Sequence, residues 1–106
     1  MGQFAIVAYR PHPGKVQQLL DLTKEHVPIL QKEGLATDRP PYAMKAADGT
    51  IVEVFEWKSA EAIASAHNNP AVLALWNRYN EACEIISLAS LDECKNMFAG
   101  FEPVEL

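Results

Sequence analysis

Cysteine is scarce in this chain, with only Cys83 and Cys94 and no Cys-x-x-Cys pair. That excludes a disulfide framework and suits reduced, buried thiols, so the expected compartment is the cytoplasm. Basic residues are also few: nine Lys+Arg against fourteen Asp+Glu leave a formal charge of −5. The cations are scattered rather than clustered, so nucleic acid and anionic membrane surfaces are not expected partners. No apolar run approaches the roughly 20 residues that a bilayer crossing needs, and Met1-Gly2-Gln3 lacks the basic start of a secretory signal. Three histidines, His12, His26 and His67, stand 14 and 41 residues apart without a His-x-x-x-His pair or a neighbouring Cys or carboxylate cluster, and no metal is expected. What remains is ordinary: 106 residues, 49% hydrophobic and 22% charged, read as one globular domain over 1–106.

The order of elements follows from period and punctuation. Residues 3–10 are rich in β-branched and aromatic types and stop at Pro11, which reads as a strand. Val16, Leu19, Leu20, Thr23, Val27 and Leu30 recur at helical spacing, which predicts a helix over about 14–33 closed by Gly34. Pro28 inside it predicts a kink or break near 24–28. After a proline-marked loop at 36–41, residues 42–47 and 50–57 flank Asp48-Gly49, the dipeptide of a two-residue hairpin turn with positive φ at both positions. Ser59 is a predicted N-cap for a short helix to about Asn68. Asn69-Pro70 then opens a longer helix whose stripe Val72, Leu75, Trp76, Tyr79, Cys83 and Ile86 keeps helical offsets. A turn at 90–93 precedes a last strand expected at 94–101, with 102–106 as a tail.

This is an α+β order, β-α-β-β-α-α-β, the ferredoxin-like arrangement of an antiparallel sheet with helices on one face. The other face is uncovered, yet the first strand is apolar on both sides, with Phe4, Ile6 and Ala8 against Ala5, Val7 and Tyr9. A second copy packed across a two-fold axis is the expected cover, making a homodimer.

Candidate residues carry a bland alternative each. Glu53 shares a strand face with Ile51, Phe55 and Trp57, apolar neighbours that penalise a charged carboxyl, which makes it a catalytic candidate. The alternatives are pairing with Arg10, Lys45 or a partner-chain cation, or plain solvent contact at an edge. His67 is the second catalytic candidate, as a base or donor to a phenolic ligand. Otherwise it caps the end of the short helix. Trp57, Trp76 and Tyr79 are candidates for binding a flat aromatic ligand, against the alternative that they are simply core, and His26, beside Pro28, is a candidate pointing toward the same pocket next to Leu22 and Leu30. His12, between two prolines, is expected in solvent. Neither cysteine has the surroundings of a nucleophile.

Three stretches carry a family likeness: Pro13-Gly14-Lys15, Glu53-Val54-Phe55-Glu56-Trp57-Lys58-Ser59-Ala60-Glu61-Ala62, and Ala66-His67-Asn68-Asn69-Pro70-Ala71-Val72. Together they resemble the antibiotic-biosynthesis-monooxygenase-like group of the dimeric α+β barrel superfamily, over about residues 3–101. The resemblance implies a homodimer whose two sheets form a barrel, with a pocket between helices and sheet in each protomer. In some members that pocket oxygenates electron-rich aromatic compounds without metal or organic cofactor. Others degrade haem, but Trp76 stands where those members carry the iron-ligating histidine. The implied function is therefore a small-molecule-binding homodimer similar to cofactor-independent monooxygenases, acting on a hydrophobic or aromatic molecule. A non-catalytic ligand-binding or stress-associated dimer is the alternative.

Overall fold

A computed structural model describes residues 2–106, and one five-stranded antiparallel sheet with three helices accounts for the chain. The strands are β1 (Gln3–Pro11), β2 (Tyr42–Lys45), β3 (Ile51–Trp57), β4 (Cys83–Ile86) and β5 (Glu102–Val104), in the order β4-β1-β3-β2-β5. The helices are α1 (Val16–Lys32), α2 (Ala60–Ala66) and α3 (Pro70–Ala82). Among the described residues no helix is long and apolar enough to cross a membrane.

The caps behave as their residue types require. Gly34, at φ +74°, closes α1 with paired bonds, Leu35 N–H to Leu30 O at 2.8 Å and Gly34 N–H to Gln31 O at 3.0 Å. Only glycine takes that backbone conformation without a Cβ penalty. Ser59 Oγ accepts from Ala62 N–H at 3.0 Å, and Asn69 Oδ1 accepts from the Ala71 and Val72 N–H groups at 2.9 and 3.2 Å, with Pro70 in the first turn.

Four expectations are corrected. No break occurs at 24–28: α1 runs through Pro28. Pro28 and Lys24, whose carbonyl the proline leaves without its helix partner, both lie on the exposed side, while Leu19, Leu22, Thr23, His26, Val27 and Leu30 hold the other side in the core. The hairpin is longer than two residues. Ala46 N–H bonds Thr50 O, Gly49 N–H bonds Ala46 O, and Gly49 alone takes positive φ, +93°, while Asp48 Oδ1 accepts from Thr50 N–H. This is a turn followed by a left-handed glycine rather than a mirror-image turn.

The long helix ends at Ala82, not near Ile86. Cys83 is already extended, at φ −158° and ψ 172°, and Cys83–Ile86 pairs with Pro11–Ala8 of β1. Cys83 and Ile86 happened to fit the helical stripe, and the four residues Cys83-Glu84-Ile85-Ile86 are too few to set a strand period against it. The strand expected at 94–101 is thus absent, β4 taking the place beside β1, and the expected tail forms β5 against β2. Residues 88–90 and 92–95 form short 3₁₀ turns instead.

Alternation assigns the two sheet faces. Ala5, Val7 and Tyr9 of β1, with Ile51, Glu53, Phe55 and Trp57 of β3, face the helices, where the core includes Leu19, Leu22, Leu30, Val72 and Leu75. The opposite face is covered in part by the chain itself: Leu88, Leu91, Cys94 and Phe101 pack over Ala8, Val52, Met44 and Ile86. Beyond that cover the sheet is bare, with Phe4 60%, Ile6 52% and Tyr42 70% exposed. Arg39 lies over the Phe4 ring at 5.7 Å and pairs with Glu56 at 2.8 Å.

Candidate functional site

The side chains that gather between helices and sheet are brought there by three short periods. Positions 5, 7 and 9 of β1 and 55 and 57 of β3 follow the two-residue repeat of a strand and point to one side. On that side α1 supplies His26, one turn after the buried pair Leu22 and Thr23, and α3 supplies Trp76, Tyr79 and Asn80. They enclose a cavity of about 380 Å³, within the range that holds small-molecule ligands. Its wall is chiefly aromatic: Tyr9, Phe55, Trp57, Trp76 and Tyr79, with the imidazole of His26 among them. Asn80 and Ile85 are exposed and Trp76 half-buried, so the mouth lies between α3 and β4.

The rings hold one another in place. Tyr9 and Tyr79 stack with centroids 4.7 Å apart and planes 19° from parallel. His26 stands edge-on to Phe55 at 5.1 Å and to Tyr79 at 5.4 Å. Phe55 meets Trp57 at 5.3 Å. Offset and edge contacts of this kind suit the ring quadrupoles and limit how far any one side chain can turn.

Behind this wall lies a buried polar cluster. Glu53 has no exposed surface, and its Oε1 accepts from Tyr9 O–H at 2.8 Å and pairs with His26 Nδ1 at 2.7 Å. The second carboxyl oxygen, Oε2, has no hydrogen-bond partner among the described residues. Tyr79 O–H donates to Thr23 Oγ1 at 3.2 Å, and Thr23 in turn donates to Leu19 O at 2.9 Å. Burial first, and the nearby Glu53 charge second, raise both phenols above the ordinary tyrosine range. Tyr9 and Tyr79 therefore keep their protons at neutral pH and act as donors.

Glu53 faces the helices, and its partners within the chain are His26 and Tyr9 rather than Arg10; Lys45 approaches Glu102 instead, at 3.6 Å. Trp57, Trp76, Tyr79 and His26 all stand in the cavity wall. His67 does not. It is exposed at the end of α2, with Nδ1 at 2.9 Å from Ile63 O, and its ring meets Trp76 at 5.2 Å from outside the lining. His12 is exposed, as its two prolines suggest.

Sequence reasoning passed over Tyr9, Phe55 and Thr23. The signal for Tyr9 was its place in strand alternation with Ala5 and Val7, and its diagonal position to Glu53 once Val7 is set opposite Glu53. Among the described residues no group of three or more His, Cys, Asp or Glu side chains is placed to hold a metal ion. Cys83 is buried, and burial pushes its thiol up to about 11. Comparison of the chain with protein-family models, with curated proteins and with solved structures gave no match.

Proposed function

We propose that the protein is a small-molecule-binding homodimer that takes flat, electron-rich aromatic compounds in the cavity between its helices and sheet, and that it resembles cofactor-independent monooxygenases. The observation that carries this reading is the 380 Å³ aromatic cavity with His26, bonded to buried Glu53, in its wall. Stacked and edge-on rings offer a planar ligand the contacts that aromatic pairs prefer, and removing it from water strengthens any polar contact it makes. In such an enzyme the substrate itself supplies the electrons that reduce oxygen. The protein contributes position and a dry, preorganised surrounding.

The fold supports the reading at two points. The order β4-β1-β3-β2, with α1 to α3 on one face, suits the ferredoxin-like arrangement, to which β5 adds an outer strand. Phe4, Ile6 and Tyr42 leave apolar surface on the other face, the side where a second copy would complete a barrel. Two unbridged cysteines fit a cytoplasmic setting.

Oxygen uptake with anthrone and a panel of hydroquinones tests the activity, and quenching of Trp57 and Trp76 fluorescence tests occupancy of the cavity. The enzyme reading predicts both signals, with uptake lost in His26→Gln. Quenching without uptake by any compound would leave the alternative, a binding or stress-associated dimer without catalysis. One observation favours that alternative: Glu53 does not line the cavity, so a ligand meets the buried carboxyl only through His26.

A further inference from the structure

His26 differs from every other polar group in the cavity wall. Its Nδ1 lies 2.7 Å from Glu53 Oε1, an oxygen that already accepts the Tyr9 O–H at 2.8 Å. A carboxylate oxygen at that distance calls for an N–H on Nδ1, and the neutral ring then carries its free lone pair on Nε2. No described residue engages Nε2, and the ring it belongs to forms part of the cavity wall. The titratable groups that face His26 are Glu53 from β3, Tyr9 from β1 and Tyr79 from α3. The two phenols retain their protons, so neither competes as a base.

We propose that His26 Nε2 is the proton acceptor of the cavity and Glu53 its positioning residue, so that the site selects phenols and enols with an acidic O–H over aromatic compounds that lack one. This rests on the cavity being the ligand site. In the transfer the ligand O–H bond breaks and an Nε2–H bond forms. The electron pair stays on the ligand oxygen, leaving a bound oxyanion beside an imidazolium. Glu53 keeps Nδ1–H throughout and offsets the new positive charge, the role a buried carboxylate plays behind a histidine base. Placing the acceptor among fixed rings lets the ligand's own proton choose its orientation: its O–H end goes to α1, and its ring lies against Tyr9, Phe55 and Trp57.

The test uses 4-nitrophenol as the acidic probe and 4-nitroanisole as the same ring without a proton. In wild-type protein with ¹⁵N-labelled histidine, His26 Nε2 is unprotonated when free and gains a proton when 4-nitrophenol binds. The phenolate band of the bound probe then appears at a pH where the free probe is neutral, its midpoint lowered by about one pH unit, a tenfold preference for the anion. His26→Gln loses the lowered midpoint, and Glu53→Gln moves the midpoint back toward that of the free probe. The labelled wild-type spectrum stands on its own if either buried variant fails to fold. The proposal is overturned if Nε2 is already protonated in the free protein. It is equally overturned if both probes quench the tryptophans but bound 4-nitrophenol keeps its solution midpoint, which would leave the cavity reading intact. Quenching by neither probe would remove the cavity reading and this inference with it.

Discussion

At the scale of single residues the polar cluster sets how the protein responds to alkali. Tyr9 and Tyr79 are raised by burial first and by the Glu53 charge second, so the folded state holds phenol protons that an unfolded chain releases near pH 10. A group with a raised folded value gives its full stability below the unfolded value and loses it as pH climbs toward the folded one. Stability should therefore fall from about pH 10 upward, by roughly 1.4 kcal/mol per pH unit for each phenol. Urea unfolding across that range should show the decline, and a shallower one in Tyr79→Phe; a flat profile would contradict it. The cysteines give a second check. With Cys83 held up to about 11 and buried, roughly one part in a thousand is thiolate at pH 8. A disulfide reagent should titrate Cys94 promptly in the native protein and Cys83 only after denaturant is added, whereas two equal rates would show Cys83 to be accessible. Glu53 was legible in the sequence because a charged residue stood on an apolar strand face. Its partners were not, since His26 lies 27 residues away on another element and nothing local joins them.

At the scale of elements the legible features were those marked by chemistry that only a few residue types supply. Asn69-Pro70, Ser59 and Gly34 placed three helix ends correctly because a side-chain cap or a left-handed backbone leaves such a mark. The end of α3 had none: the chain passes from Ala82 into an extended Cys83 with neither glycine nor proline, and only pairing with β1, more than 70 positions earlier by the register Pro11↔Cys83, decides it. The same holds for 102–104, where Pro103 argues for a tail until one sees that it sits on the outermost strand, free of the need to donate on its outer side. Replacing Asn69 by alanine removes the acceptor of two N–H groups at the start of α3 and should cost about 1 kcal/mol. A lower urea midpoint with unchanged slope would show this, and an unchanged midpoint would mean that the cap contributes nothing.

At the scale of the whole molecule, the sheet has one face closed by helices and the other closed by half. Residues 88–101 shelter Ala8, Val52 and Ile86, which the first-strand pattern alone could not reveal, since it showed only that both faces were apolar. Phe4, Ile6 and Tyr42 stay outside that cover, and Met97 and Phe98 of the covering segment add 96% and 90% exposed side chains. A chain that folds alone gains nothing from leaving such surface wet, and the second copy proposed above is what would cover it. Phe4→Glu should then drive the protein toward single chains without disturbing the helix-side core, read as a loss of assembly with retained helical signal. Native mass spectrometry of the wild-type protein with saturating anthrone reads assembly and cavity together: the expected species is two 11.7 kDa chains carrying one anthrone each, and a lone chain, or a pair that takes up none, would contradict it.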